Sequence, residues 1–207
     1  FPGLGTRLGE YLREPVAGAP RYALLKLVEL LHDVGKPATA RTSKGKLHFY
    51  GHDHVGGKMA VSMGRRLRLS NEETRALSRM VNAHMRPGNL GHLPELTHRA
   101  IFRFYRDLED DAVGMLLVAL GDHFTYLTPR QRRGGKDPVY KVIRRMLEHN
   151  YRRPDIVRPP QIIDGHVLMR RLKLRPGRQI GQLLEAVREA QAAGRVKSRQ
   201  DALRLAG

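Results

Sequence analysis

Leu30-Leu31-His32-Asp33-Val34-Gly35-Lys36 is the stretch on which the reading of this chain turns. Just upstream, Leu24, Leu27, Val28 and Leu31 recur at i, i+3, i+4 and i+7, which is one face of a helix. Gly35 and Pro37 then supply stop signals, and Gly35 is expected to take a left-handed C-terminal conformation. His32 and Asp33 therefore fall in the last turn of a largely apolar helix. An imidazole and a carboxylate delivered there need partners, because buried polar groups are costly when unpaired. A metal ion is one such partner; a structural hydrogen-bond network is the other.

Working outward, residues 1–20 are rich in Gly and Pro around a short amphipathic piece, and lead into a helix over about 21–33. Ser43-Lys44-Gly45-Lys46 supplies a turn, with Leu47 to Tyr50 as a short strand in one small hairpin at most. Such a basic loop beside a site could cover a substrate phosphate, though most such loops only connect. Asp53 is a candidate cap for a helix to about Leu69, whose face reads His52, Gly56, Met59, Ala60, Met63 and Leu67. Ser70-Asn71-Glu72-Glu73 is a capping box. The helix it opens carries Leu77, Met80, Val81 and His84 at i, i+3, i+4 and i+7, so His84 points inward with the apolar face.

A loop is expected from Pro87 to Leu93, then a helix from about Pro94 to Tyr105. Residues 112–120 are apolar all round, as in a helix covered on every side, and Asp122 lies at its end. Thr128 to Lys136, with Arg130, Arg132 and Arg133, reads as a basic loop before another helix to about Asn150. The Pro- and Arg-rich stretch 151–160 suggests a division into 1–153 and a basic helical segment 154–207. That segment holds a short helix from Asp164-Gly165 and a longer one with Ile180, Leu183, Leu184 and Val187 on one face. Gly194 closes the second, and a final helix follows over 198–205. The fold class expected is all-α.

Composition narrows the partners. The 207 residues hold 38 Lys and Arg against 20 Asp and Glu, a formal net charge of +18, and most of the cations are arginine. Guanidinium groups suit bidentate phosphate contact, so a nucleic-acid partner leads, and a proteome biased toward arginine is the plain alternative. No helix pairs a basic face with exposed aromatics, which argues against a membrane surface. There is no cysteine, so disulfides and thiolate metal sites are excluded and a cytoplasmic setting is expected. No apolar run approaches the roughly 18 residues of a membrane span, and residues 1–14 do not resemble a signal peptide. The chain opens on Phe1 rather than Met, which is read as a piece of a longer protein.

Five side chains stand out: His32, Asp33, His52, His84 and Asp122. Imidazole and carboxylate together suit Mn, Fe, Co, Ni or Zn, or Mg where fewer histidines take part. Asp33 could bridge two ions, with His52 and His84 on the second. A site of this kind lowers the pKa of a bound water and clamps phosphoryl oxygens. An inward histidine is also often only a satisfied core residue. His54, two residues from His52, faces elsewhere and is a candidate phosphate contact or plain surface. Around the turn between the two tail helices, Arg170, Arg171, Lys173, Arg175 and Arg178 suggest contact with an RNA backbone, with a solvated basic face as the alternative. Gly177 leaves backbone N–H groups open at the second of those helix starts.

Taken together, Leu-Leu-His-Asp-Val-Gly-Lys, Phe49-Tyr50-Gly51-His52-Asp53-His54-Val55-Gly56, Asn82-Ala83-His84-Met85 and Leu120-Gly121-Asp122 resemble the HD-domain superfamily of metal-dependent phosphohydrolases. More narrowly, they resemble the HD domain attached to bacterial tRNA nucleotidyltransferases and poly(A) polymerase-like proteins. Ile163-Asp164-Gly165, Leu174-Arg175-Pro176-Gly177, Ile180-Gly181 and Leu183-Leu184 resemble the C-terminal helical segment of those enzymes. The resemblance implies an HD-type helical bundle with a small helical extension. It implies one or two divalent ions, the first on His32, Asp33 and Asp122, the second on His52 and His84 with Asp33 shared. Lys36 would face the substrate phosphate. The activity implied is hydrolysis of nucleotide phosphoesters, such as 2′,3′-cyclic nucleotides and 2′-nucleotides, tied to tRNA or RNA 3′-end metabolism. A second reading is an RNA- or tRNA-binding body with a degenerate metal site. The superfamily usually places a further His on a helix before the His-Asp pair, and no histidine precedes His32 here. No Gly-Ser or Gly-Gly is followed by an Asp-x-Asp pair, so this chain by itself is not expected to add CCA or A residues.

Overall fold

The computed structural model describes residues 1, 3–134 and 136–207, except for the side chain of Arg133. Among them the fold is all-α, with two short two-stranded ladders. The helices are Gly5–Arg13 (α1), Arg21–Leu31 (α2), Lys36–Thr39 (α3), His52–Arg66 (α4) and Asn71–Ala83 (α5). Met85–Gly91 (α6), His98–Leu108 (α7), Ala112–Thr125 (α8), Pro129–Gly134 (α9) and Pro138–Arg152 (α10) follow. Pro154–Val157 (α11), Gly165–Leu172 (α12), Arg178–Ala192 (α13) and Arg199–Ala206 (α14) complete them.

The chain forms two compact units, 1–93 with 108–147, and 94–107 with 148–207. In the first unit, α2 buries Leu24, Leu25 and Val28. The antiparallel pair α4 and α5 makes the most extensive helix contact. A Cβ on Gly57 would lie 3.0 Å from Asn82 Cβ, one on Gly64 would lie 2.8 Å from Thr74 Oγ1, and Ser78 Oγ donates to Gly57 O at 2.8 Å. The stripe α4 buries is accordingly His52, Gly56, Gly57, Ala60 and Gly64, and Leu67 is exposed instead. Small residues win that face because they let backbones approach closely. The Ser70 capping box forms as expected, with Ser70 Oγ accepting from Glu73 N–H and Glu73 Oε2 from Ser70 N–H. Asp111, 3% exposed, sits between Arg21 and Arg79, while Tyr11 Oη donates to Asp110 O and accepts from Gly114 N–H, both at 2.8 Å.

In the second unit, Ile163, Leu168, Ile180, Val187, Ala190, Val196 and Ala202 form a core. Glu189 accepts from Arg99 and Arg103. Asp164 caps α12 by accepting from Val167 N–H, Gly194 takes φ +73° after α13, and Ser198 opens α14 with a second capping box.

Several local expectations are corrected. Gly35 is right-handed, φ −78°, not left-handed. The cap of α4 is Gly51 at φ 74°, and Asp53 lies inside the first turn. The segments 85–91 and 129–134 are short helices, not loops. A second hairpin joins Pro15–Val16 to Ala19–Pro20 (β1 and β2) through Ala17 and Gly18, both at positive φ. The expected hairpin pairs Arg41–Ser43 with Lys46–His48 (β3 and β4).

Candidate metal centre

The His-Asp stretch leaves the end of α2 as a tight turn, with Val34 N–H donating to Leu31 O and Lys36 N–H to Asp33 O. Gly35 is what lets this turn meet α4. A Cβ there would lie 2.1 Å from His52 O and 2.7 Å from Gly56 N, which no side chain can occupy. The glycine is needed for close approach rather than for its conformation.

Three imidazoles converge on Asp33. Each has Nδ1 at a backbone carbonyl three residues back: His32 to Glu29 O at 2.7 Å, His52 to Phe49 O at 2.8 Å, His84 to Val81 O at 2.7 Å. A carbonyl only accepts, so each Nδ1 carries a hydrogen, and the neutral form of each ring is the tautomer that presents its Nε2 lone pair. His52 Nε2 and His84 Nε2 lie 3.4 and 3.6 Å from Asp33 Oδ1, and 3.1 Å from each other. Two lone pairs at 3.1 Å repel unless a cation or a proton lies between them. Donors on one ion with bonds of about 2.0–2.2 Å sit roughly 3–3.5 Å apart, and this triangle has that size. Asp33, His52 and His84 could hold a metal ion. His32 Nε2 lies 3.3 Å from the other carboxylate oxygen, Asp33 Oδ2, and 3.7 Å from Asp122 Oδ1. Asp33 thus turns one oxygen to each group, the geometry of a bridging carboxylate. The donor set of nitrogen and oxygen fits a divalent first-row ion.

Charge follows the same pattern. Burial pushes the His84 imidazole below its ordinary value, and His32 and His52 push the same way, against the Val81 carbonyl and Asp33. Burial alone would raise the Asp33 carboxyl, but the Lys36 hydrogen bond, with His32 and His84, holds it below the usual carboxylate range. Lys36 Nζ donates to Asp33 Oδ2 and lies 5.8 Å from the Phe49 ring centre.

Glu29 belongs beside this centre, although nothing in the motifs singles it out. Its carboxyl is raised by burial, feels His32 and Asp122, and its Oε2 is buried without a hydrogen-bond partner. It packs against the turn of α8 at Gly121, where a Cβ would lie 3.6 Å from Glu29 Oε1. The signal that could have found it is spacing: Glu29 lies at i−3 from His32, on the same helix face.

The remaining candidates are elsewhere. His54 and Arg130 are exposed in the first unit, and Arg133 has its side chain outside the described residues. Arg170, Arg171, Arg175 and Arg178 are all exposed in the second unit, from the last turn of α12 to the first residue of α13. Among the described residues no helix is long and apolar enough to cross a membrane.

No protein-family model matches the chain. Over 183 residues it is 32% identical to the A-adding tRNA nucleotidyltransferase of Deinococcus radiodurans, covering 86% of this chain and 40% of that protein. Over 179 residues it is 31% identical to the CC-adding tRNA nucleotidyltransferase of Thermus thermophilus, covering 86% of this chain and 38% of that one. The chain is related to tRNA nucleotidyltransferases. It spans about two fifths of the length of these relatives.

Proposed function

We propose that this chain is an HD-type, metal-dependent phosphohydrolase of nucleotide phosphoesters, working in tRNA or RNA 3′-end metabolism. The observation that carries the reading is the convergence of three Nε2 lone pairs on the two oxygens of Asp33. A bound divalent ion supplies Lewis acidity at a phosphoryl oxygen and a water of lowered pKa. His52, His84 and Asp33 Oδ1 would hold one ion; His32, Asp122 and Asp33 Oδ2 would hold another. Ring orientation and neutral tautomer are set in advance by the backbone carbonyls of Glu29, Phe49 and Val81, which accept from Nδ1 and leave Nε2 as the atom to meet an ion. Lys36, next to Asp33, would balance negative charge developing on the phosphoryl group.

The similarity to two tRNA-acting enzymes and the charge of +18 support tRNA or another RNA as the polymer to which that phosphoester belongs. Exposed Arg170, Arg171, Arg175 and Arg178, with Arg130, would contribute backbone contacts. The same similarity favours the second reading, an RNA-holding body with a metal site that has lost turnover.

The test is hydrolysis of 2′,3′-cyclic AMP with Mn, Ni or Mg, beside Asp33→Ala, with Mn binding followed by electron paramagnetic resonance. Metal-dependent turnover that disappears in the variant supports the enzyme. Absence of turnover with every metal, in a chain that still binds tRNA at low salt, overturns it and leaves the RNA-holding body.

A further inference from the structure

In the chain, the β3–β4 hairpin stands between two parts of the metal centre, with Lys36 before it and His52 after it. It is a regular ribbon. Arg41 pairs with His48, Thr42 with Leu47 and Ser43 with Lys46, and the turn residues Lys44 and Gly45 take φ 49° and 71°, both positive as the tightest hairpin turns require. Yet neither face is covered: every residue from Arg41 to Leu47 is exposed. A bare two-stranded ribbon adds little to stability, so its side chains are free for a partner.

The chemistry of the ribbon names that partner. No Asp or Glu occurs from Lys36 to Tyr50, and no carboxylate pairs with Arg41, Lys44 or Lys46 among the described residues. Cross-strand partners share a face, so Arg41, Ser43, Lys46 and His48 stand together. At the base of the ribbon the His48 and Tyr50 rings are stacked, with centres 5.1 Å apart and planes 10° apart. Tyr50 is 81% exposed, so a further flat ring can continue the stack. A polyanion that carries flat rings matches both halves of this surface, which is the description of a single-stranded nucleic acid.

Phe49, between the two stacked residues in sequence, fastens the base of the ribbon to the centre. Its carbonyl accepts from His52 Nδ1 at 2.8 Å and from His52 N–H at 3.2 Å. Its ring centre lies 5.8 Å from Lys36 Nζ, the group that donates to Asp33. Two residues of chain span at most about 7 Å, so the Tyr50 backbone lies within that distance of His52.

We propose that the β3–β4 ribbon is a contact surface for single-stranded RNA. The His48–Tyr50 stack is the platform for the base of the nucleotide whose phosphoester meets Asp33, His52 and His84, and Arg41, Lys44 and Lys46 hold the adjoining backbone. The inference rests on the phosphoester reading of that centre.

The test uses the full chain with Mg and a short single-stranded RNA that ends in a 3′ phosphate and carries 2-aminopurine as its last base, a probe whose fluorescence falls on stacking. Tyr50→Leu should remove the quenching and weaken binding about tenfold, with the salt slope unchanged. Tyr22→Leu, at an exposed tyrosine off the ribbon, should do neither. Lys44→Gln/Lys46→Gln should lower the log–log salt slope by about 0.7 for each phosphate left without its cation, and Arg13→Gln/Lys26→Gln should leave the quenching in place. Circular dichroism establishes that the variants fold. Equal effects of Tyr50→Leu and Tyr22→Leu, or quenching that survives Tyr50→Leu, overturn the platform. With the probe moved several nucleotides upstream, quenching should fall; quenching that ignores its position overturns the placement beside the centre. These readouts do not depend on turnover. A failed cyclic-nucleotide assay with Tyr50-dependent quenching at the 3′ end would therefore remove the hydrolase and keep the platform.

Discussion

Gly35 and His84 show how single residues set this centre. Since a Cβ at position 35 would overlap His52 O, Gly35→Ala should push the turn away from α4 and separate Asp33 from His52. We expect loss of Mn binding together with a drop in stability of about 1–3 kcal/mol, the range of overpacking, read by urea unfolding. His84 makes a pH prediction. Its folded value lies below the ordinary histidine value of about 6.5, so on acidification the unfolded chain takes up this proton first. Its contribution to stability is therefore whole above about pH 6.5 and is lost as pH falls from there to its lower folded value. Without metal, the urea midpoint of the chain should decline over that interval relative to His84→Gln. Asp33 works further down: its folded value is depressed, so its contribution persists above the ordinary carboxylate range and disappears as pH falls through that depressed value.

The elements divide by where their signals lie. The face of α5 and its start are legible because a capping box and an i, i+3, i+4, i+7 pattern are local features. Removing the cap, Ser70→Ala, should cost about 1 kcal/mol in a denaturant midpoint. Segments 85–91 and 129–134 carry Pro and Gly and read as loops in the sequence; both Pro87 and Pro129 fall within the first turn, where a missing N–H is tolerated. The tie around Asp111 is not legible at all. Arg21, Arg79 and Tyr11 reach it or its neighbours from α1, α2 and α5, and no spacing along the chain announces that meeting. Asp111→Ala removes the carboxylate that accepts from Arg79 and faces Arg21, while Arg21 keeps Glu14 at 3.6 Å, and a loss of about 1–3 kcal/mol is expected, again from urea unfolding.

For the molecule as a whole, the charge of +18 governs association with polyanions more than it governs the fold. If about six phosphates are contacted, affinity for RNA should fall roughly a thousandfold between 50 and 200 mM salt, a titration that anisotropy can follow. By itself the sequence determined the all-α class, the helix faces, the inward aim of His84 and the proximity in sequence of His32 and Asp33, because periodicity and capping act within a few residues. Only the tertiary structure decided that His32, His52 and His84 turn their Nε2 atoms to opposite oxygens of one carboxylate, and that half-buried Glu29 sets its carboxylate beside Gly121. Those facts depend on which helices touch and how closely. That is set by small residues such as Gly35, Gly57 and Gly64, whose effect exists only once a second backbone has arrived.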